Sequence, residues 1–139
     1  MNVTSVEEKV PVTLVREAVL TAADFFPRLI DALTRVSRDL QEDRLHEGLT
    51  LFNTAQDGLK WFCNMVELRG VWLGADPQGP VLDKEWASFI QNMAAAADAL
   101  GGKDYVLLSD LLLYEVVPFM EEVLAVVRRL GEEPVSHAL

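Results

Sequence analysis

Cysteine and histidine are scarce in this chain of 139 residues, which has one cysteine, Cys63, and two histidines, His46 and His137. A single cysteine can form neither an internal disulfide nor a zinc or iron–sulfur site built from several thiolates. Two histidines offer little for metal binding or acid–base catalysis, so we expect no metal and no cofactor. Cys63 lies in a helical pattern, where a small, buried, apolar role is typical of cysteine.

Positive charge is also scarce, since 12 Lys and Arg residues stand against 22 Asp and Glu residues, giving a net charge of −10. Nucleic acids and anionic lipids bind to basic surfaces, so we expect no nucleic-acid partner and no membrane attachment. The first residues are polar and acidic, unlike a signal peptide. The longest uncharged run, Trp86–Ala97, has about twelve residues, whereas a helix needs about 20 to span a bilayer. We therefore expect a cytoplasmic protein.

Catalytic motifs are missing as well. Di-iron helical bundles use Glu-x-x-His pairs on two helices, and the nearest match here, Asp43-Arg44-Leu45-His46, occurs once. The dipeptide His46-Glu47 lacks the second histidine of a zinc-hydrolase helix, and the sequence has no glycine-rich phosphate loop and no serine elbow. A haem site needs a histidine inside the bundle, but His46 is expected in a first turn. We therefore predict no catalytic residues.

Apolar residues, which make up half of the chain, recur at helical spacing in its first third. Their steps of three and four residues predict a first helix over Val12–Leu40. Pro27 lacks a backbone donor and clashes with the carbonyl of Ala23. It therefore either kinks this helix or ends a short one near Ala23, with Asp24 capping the next. The apolar stripe consists of Val15, Val19, Ala22, Phe26, Leu29, Leu33, Val36 and Leu40.

Two further helices are predicted on either side of a break. The second helix covers about Arg44–Leu73, with Asp43 as its N-cap. The segment Gly74–Pro80 holds two prolines and two glycines, which cannot continue a helix. The third helix covers about Asp83–Leu100 and is stopped by Gly101-Gly102, one of which suits the left-handed conformation that ends many helices.

The fourth helix is predicted over Asp104–Leu130, with Asp104 as its N-cap. Its first half is apolar nearly all the way round, which is typical of a helix at the centre of a fold. Pro118 frees the carbonyl of Tyr114 and predicts a kink, because the helical period resumes beyond it. Arg128 and Arg129 are placed to interact with the negative C-terminal end of this helix.

Helices joined by short turns pack antiparallel to their neighbours. The sequence therefore predicts an all-α fold, an up-down antiparallel four-helix bundle, with the first helix interrupted or kinked at Pro27 and the fourth kinked at Pro118. Residues 1–139 form one domain, with 1–11 and 132–139 frayed. The short side chains of Ala94–Ala97 would let a neighbouring helix approach closely. The predicted core residues are Leu33, Phe52, Leu59, Phe62, Leu108, Leu112, Phe119 and Val123.

A group of polar residues lies in the first half of the fourth helix: Tyr105, Asp110, Tyr114 and Glu115. Asp110 and Glu115 diverge by about 140° around the helix axis, so they do not form a paired-carboxylate site. We expect one of them to face solvent and the other to pair with Arg28 or Arg35 of the first helix. The alternative is a polar site around all four residues, in a small-molecule binder or an atypical enzyme, which requires a cavity between helices.

The second helix carries a second apolar stripe beside its core stripe, formed by Trp61, Met65, Leu68 and Trp72. Steps of four, three and four residues align these side chains on one face. One interpretation is that the stripe packs under Gly74–Pro80 and against the third helix, including Trp86. The other is a contact with a second copy or a partner helix, extended by Leu113 and Val117, because tryptophan and methionine are enriched at interfaces.

The missing motifs and the surplus of apolar residues together favour a non-catalytic protein that acts through protein–protein interaction. We expect it to self-associate as a homodimer or to bind a helix of a partner protein, because a small domain cannot leave this much apolar surface in water.

Overall fold

The structure is a computed structural model that describes residues 11–74 and 76–132. Every regular element in these ranges is helical, which confirms the all-α prediction. The helices are α1 (Val12–Gln41), α2 (Leu45–Glu67), α3 (Arg69–Leu73), α4 (Gly79–Gly101), α5 (Tyr105–Leu111), a π-helical segment (Leu112–Val116) and α6 (Val117–Glu132). None of these helices is long and apolar enough to cross a membrane. The predicted frayed tails lie outside the described residues, except for Pro11 and Glu132.

Helix α1 continues through Pro27 as one helix of 30 residues. The alternative of a short helix ending near Ala23 is therefore wrong. Proline removes one helical hydrogen bond, but Phe26 and Leu29 on either side of it are 0% and 4% exposed. The burial of these two side chains offsets the missing bond and keeps the two halves of α1 in one helix. The kink at Pro27 stays a prediction.

The predicted second helix is divided at Leu68 into α2 and α3, which corrects the single span to Leu73. Two side chains from α3 turn back and donate hydrogen bonds to carbonyls at the end of α2. The guanidinium of Arg69 donates to the carbonyl oxygen of Val66 at 2.9 Å. The indole N–H of Trp72 donates to the carbonyl oxygen of Met65 at 2.7 Å. These bonds satisfy acceptors that the helix end leaves without partners.

The turns after α1 and α4 have the same conformation. Asp43 and Lys103 adopt left-handed φ values of 60° and 58°, and each is followed by an N–H that donates five residues back. The N–H of Arg44 donates to the carbonyl of Asp39, and the N–H of Asp104 to that of Ala99, both at 2.8 Å. This is the Schellman arrangement. Asp43 therefore ends α1 rather than capping α2, and a lysine rather than a glycine takes the left-handed position after α4.

Helix α4 begins at Gly79, earlier than the predicted Asp83. Pro80 is part of its first turn, where a residue without a backbone donor loses no helical bond. The prediction for the next helix start is confirmed, because the carboxylate of Asp104 accepts the N–H of Leu107 at 3.1 Å. The proline-rich break is thus shorter than the sequence predicted.

The irregularity near Pro118 takes the form of the π-helical segment Leu112–Val116. Here the N–H of Val117 donates to the carbonyl of Leu112, five residues back. Pro118 itself has no N–H to donate to the carbonyl of Tyr114. The π-helical segment widens the helix by about one residue just before this gap, and the chain stays helical from Tyr105 to Glu132. The kink at Pro118 stays a prediction.

All eight predicted core residues are buried in the structure. At the centre, the ring of Phe62 contacts three other rings, which come from α1, α4 and α6. Its centroid lies 4.9 Å from Phe26, 5.6 Å from Phe89 and 6.1 Å from Phe119, all in edge-to-face geometry. Pairs of this kind stabilise beyond the area they bury. Phe62 of α2 thus packs against one aromatic ring from each of the other long helices, α1, α4 and α6.

A buried pair of serines connects α1 to α5. Ser37 and Ser109 are each 1% exposed, and their hydroxyl oxygens lie 2.9 Å apart. Each hydroxyl also lies within hydrogen-bond distance of the other residue's carbonyl oxygen, at 3.0 and 3.1 Å. Because buried hydroxyls are costly without partners, this reciprocal pair specifies the register of the two helices.

Candidate functional site

The predicted stripe on the second helix is not a single exposed surface. Met65 and Trp72 are 7% and 8% exposed, whereas Leu68 is 56% exposed. The half-buried ring of Trp61 lies 5.7 Å from Phe25 and 5.6 Å from Phe26. Trp61 therefore packs against α1.

The other members of that predicted surface also turn inward. Val117 is 6% exposed and Leu113 is half-buried. Trp86, the predicted neighbour of the stripe, stacks on Phe89 with ring centroids 5.6 Å apart, and the guanidinium of Arg69 lies over its ring at 5.8 Å. Of the six proposed partner-binding residues, Leu68 presents the most exposed apolar side chain.

The structure brings together part of the predicted polar group. Tyr114 and Glu115 line a cavity of about 180 Å³ between α4 and the π-helical segment, with Phe89 and Phe119 at its base. Asp110 is exposed and Tyr105 is half-buried, and neither lines this cavity. The expected pairing of a carboxylate with Arg28 is wrong, because Arg28 pairs with Asp24 within α1 at 3.0 Å.

The same cavity contains a carboxyl pair that the sequence analysis missed. Glu85 of α4 and Glu122 of α6 both line it. The hydrogen bond to Glu85, together with burial and the repulsion between the two charges, raises the pKa of Glu122 to about 7. No spacing rule finds this pair, because its members come from helices far apart in the chain. Within residues 11–74 and 76–132, no three His, Cys, Asp or Glu side chains are placed to hold a metal ion.

Two ion pairs link the connection between α3 and α4, and the first turns of α4, to α3 and α6. One carboxylate oxygen of Asp76 forms an ion pair with the guanidinium of Arg129. The other oxygen accepts a hydrogen bond from the backbone N–H of Gln78 at 2.9 Å. Arg69 pairs with Asp83 at 2.6 Å. Arg129 was expected to interact with the end of its own helix, but the structure directs it to this connection.

An apolar groove opens to solvent between α2 and α4. Its volume is about 380 Å³, and it is lined by Leu49, Phe52, Asn53, Gln56, Met93, Ala96, Ala97 and Leu100. The two helices make ring contact farther along, where Phe62 meets Phe89. On the side that faces α2, the short side chains of Ala96 and Ala97 leave an open groove at this end.

Beside this groove, the exposed side of α4 carries small and apolar residues in its central turns. We call the exposed residues Ala87, Ile90, Ala94 and Ala97 the α4 face. It coincides with the uncharged run Trp86–Ala97, and Ile90 within it is 44% exposed. Glu85, just before the run, lies on the other side of α4, toward Glu122. Two exposed carboxylates border this face on the same side of α4, Asp83 one turn before Ala87 and Asp98 one turn after Ala94.

Comparison with known proteins shows the family of this chain. A family model described as a domain of unknown function, DUF8042, matches residues 17–125. The match covers more than half of the chain, so the chain belongs to this family. It extends from α1 into α6 and includes the groove, the α4 face and the carboxyl pair. No curated protein and no solved structure matches the chain.

Proposed function

We propose that this DUF8042 protein is a non-catalytic interaction module that self-associates as a homodimer. The observation that carries the proposal is the open groove between α2 and α4, which leaves apolar side chains in contact with water. Ile90, on α4, is 44% exposed in a chain whose net charge is −10. Contiguous apolar surface that is exposed to solvent is typical of sites where proteins associate.

The proposal includes an up-down antiparallel four-helix bundle, made of α1, α2, α4 and the unit α5–α6, with kinks at Pro27 and Pro118. Its support is the ring cluster around Phe62, which draws one aromatic side chain from each unit. The Schellman turns after α1 and α4 also direct each following helix back along the preceding one. A helical bundle of this kind offers its outer faces and grooves for binding.

A non-catalytic role is supported by the state of the one thiol. Burial, followed by the nearby charge of Glu67, raises the pKa of the Cys63 thiol. The thiol is therefore protonated at neutral pH and is a poor nucleophile. We also propose a cytoplasmic location, where a lone thiol stays reduced and a fold must rely on its apolar core.

Sedimentation velocity tests the proposed self-association. We expect the average mass to rise from that of one chain toward that of two as the concentration goes from low to high micromolar. Added salt should weaken the association little, because an apolar contact depends less on ionic strength than an ion-paired one. A chain that stays monomeric throughout this range would refute the proposal.

The alternative function is a small-molecule site or an atypical enzyme around Tyr105, Asp110, Tyr114 and Glu115. One observation favours it, namely the cavity where Tyr114 and Glu115 meet the carboxyl pair. A thermal-shift screen of small amines and neutral metabolites tests it with the parent chain and Glu122→Gln. A compound that raises the melting temperature of the parent alone would favour this alternative.

A further inference from the structure

We propose that the exposed side of α5 and of the π-helical segment binds a basic amphipathic helix of a partner protein. We call the exposed residues Val106, Leu107, Asp110 and Tyr114 the α5 face. The apolar side of the partner helix covers this face, and its Lys and Arg side chains pair with the carboxylates on and beside it. The inference goes beyond self-association and does not depend on it, because no residue of the α5 face lines the groove between α2 and α4.

Large apolar side chains are exposed together on the α5 face. Val106 and Tyr114 are 76% and 66% exposed, the two highest values among the large hydrophobic residues of the described ranges, and Leu107 is 44% exposed. Val106, Asp110 and Tyr114 follow one another at steps of four residues, so they share one side of the helix. Leu107 lies three residues before Asp110 and borders the same side. Single apolar residues are common at protein surfaces, whereas a group on one helix side is typical of a site where a second helix packs.

The π-helical segment adds a carboxylate beside this group. Glu115 is seven residues after Leu108, so in a regular α-helix the two would lie on the same side, and Leu108 is fully buried. The wider turn of the π-helical segment instead leaves Glu115 exposed. Tyr114 and Glu115 line the cavity that also holds Glu85 and Glu122. An acidic recess therefore continues the α5 face toward α4.

Charge selects a basic partner for this surface. Residues 104–127 contain five carboxylates and neither Lys nor Arg. In the part of the chain that the structure describes, none of Asp110, Glu115 and Glu122 forms an ion pair. The raised pKa of Glu122, which results first from its hydrogen bond to Glu85, fits carboxyl groups that have no cation beside them. Complementary charges brought by a partner would supply the missing cations.

The basic residues nearest to this surface lie at its borders. Lys103 directly precedes Asp104, the N-cap of α5, and Arg38 follows Ser37, whose hydroxyl contacts that of Ser109 at the border with α1. Neither cation is in an ion pair with a carboxylate of α5, the π-helical segment or α6. Because both lie toward the start of α5, the partner helix directs its own cations toward Asp110 and the recess.

The same charges disfavour other parts of this chain as the occupant. A second copy would bring a net charge of −10 to an acidic surface. Residues 1–10 contain two glutamates and one lysine, and residues 133–139 contain a glutamate and neither Lys nor Arg. None of these three occupants is basic. A partner that is both basic and apolar on one side matches the carboxylates and the exposed apolar side chains together.

A synthetic helix tests the inference. The probe is a fluorescent peptide of about 18 residues with leucine and lysine at helical period, since the surface from Val106 to Glu122 extends about 24 Å along the helix axis. In two matched peptides, glutamate replaces every lysine or serine replaces every leucine. By fluorescence anisotropy, we expect the leucine–lysine peptide to bind at least about tenfold more tightly than either, and added salt to weaken its binding.

Substitutions of apolar residues locate the binding site. The double variant Val106→Gln with Tyr114→Gln removes the two most exposed apolar side chains of the α5 face. The matched control is Leu14→Gln with Leu68→Gln, at residues that are 55% and 56% exposed elsewhere on the chain. We expect the first pair to weaken binding of the leucine–lysine peptide at least about fivefold, and the control pair to change it less than about twofold.

Substitutions of carboxylates test the choice of a basic partner. Asp110→Asn with Glu115→Gln removes two negative charges from the surface, and Asp31→Asn with Asp57→Asn removes two from exposed positions on α1 and α2. We expect the first pair to weaken peptide binding about threefold to tenfold and to reduce its salt dependence, and the control pair to have little effect. Circular dichroism spectra and melting temperatures check that every variant stays folded.

The outcomes decide both the surface and the occupant. Binding that survives both double variants of the α5 side, or that the control pairs weaken equally, means that the surface is wrong. A glutamate or serine peptide that binds as tightly as the leucine–lysine peptide means that the occupant is wrong. A parent that does not bind the leucine–lysine peptide at high micromolar concentration overturns the inference. Sedimentation velocity without peptide measures self-association separately, so either proposal can fail while the other stands.

Discussion

Replacing Gly48 by alanine tests whether α1 and α2 approach as closely as the structure shows. A Cβ atom on Gly48 would lie 3.0 Å from Cδ2 of Leu40 and 3.3 Å from Cβ of Asp39. Asp39 is 6% exposed and accepts hydrogen bonds from Arg44 at 2.7 and 3.0 Å, so its position is well determined. The added methyl group therefore forces Leu40 and Asp39 to shift, and Asp39 is held by its burial and by its bonds to Arg44.

Two opposing effects determine the size of the change. Alanine in place of glycine within a helix stabilises by about 1 kcal/mol, because the unfolded chain loses less entropy. Overpacking of a close contact costs about 1–3 kcal/mol. We therefore expect Gly48→Ala to lower the free energy of unfolding by about 1 kcal/mol in all.

Two other glycines serve as matched controls. At Gly58 the new Cβ would lie 2.9 Å from the tip of the Phe25 ring and 3.0 Å from Cδ1 of Leu29, both at the ends of side chains, so we expect the helical gain and the packing cost to be about equal. At Gly70 no atom lies within 4 Å, so Gly70→Ala should stabilise by up to about 1 kcal/mol. Gly48→Ala and Gly70→Ala should then differ by about 2 kcal/mol.

Urea unfolding followed by circular dichroism measures this series. All variants are compared at one protein concentration, because self-association would add to the apparent stability. If Gly48→Ala were as stable as Gly70→Ala, the close approach of α1 and α2 would be refuted.

Three further predictions concern the core and the carboxyl pair. Phe62→Ala should cost about 3–5 kcal/mol in urea unfolding, since it removes the ring at the centre of the aromatic cluster, and a variant that melts with the parent would contradict that placement. Ser37→Ala and Ser109→Ala should each cost about 0.5–1.5 kcal/mol, because each removes the bond between the two hydroxyls while the remaining hydroxyl keeps the backbone carbonyl of the other residue. The double variant should cost less than the sum of the two; strictly additive costs would argue against the reciprocal pair. Glu122 has a folded pKa of about 7, raised from 4.5, so its stabilising contribution is complete below about pH 4.5 and is lost as the pH rises to about 7. At pH 8, Glu122→Gln should therefore be more stable than the parent by about 0.5 kcal/mol after solvent screening. If the free energies of unfolding of parent and variant changed equally between pH 5 and 8, the raised pKa of Glu122 would be refuted.

The helices could be predicted from the sequence because their signals are local. Apolar residues at steps of three and four bury one side of a helix wherever that helix packs, and all eight predicted core residues are buried. Asp104 also caps its helix as predicted, since the bond from the Leu107 N–H joins residues three apart. Interactions between residues three or four positions apart in the chain do not depend on the rest of the fold.

Several boundaries could not be predicted, because distant contacts decide them. The break at Leu68 is accompanied by the bond from the Trp72 indole to the Met65 carbonyl, which forms once the chain has turned. Asp43 resembled an N-cap by residue type, yet the bond from Arg44 back to Asp39 makes it the end of α1. Pro27 resembled a helix end, yet its buried neighbours keep α1 whole.

The candidate surfaces likewise have some features that the sequence determines and others that only the packing of the helices determines. The sequence by itself determined that the chain is helical and acidic, and that Trp86–Ala97 carries no charge, because these properties belong to single residues or single helices. Only the tertiary structure decided that Trp72 and Met65 are buried, that Ala96 and Ala97 border a groove, and that Glu85 meets Glu122. Each of these facts depends on the distance between two helices, which is set by the packing of side chains from all of them together.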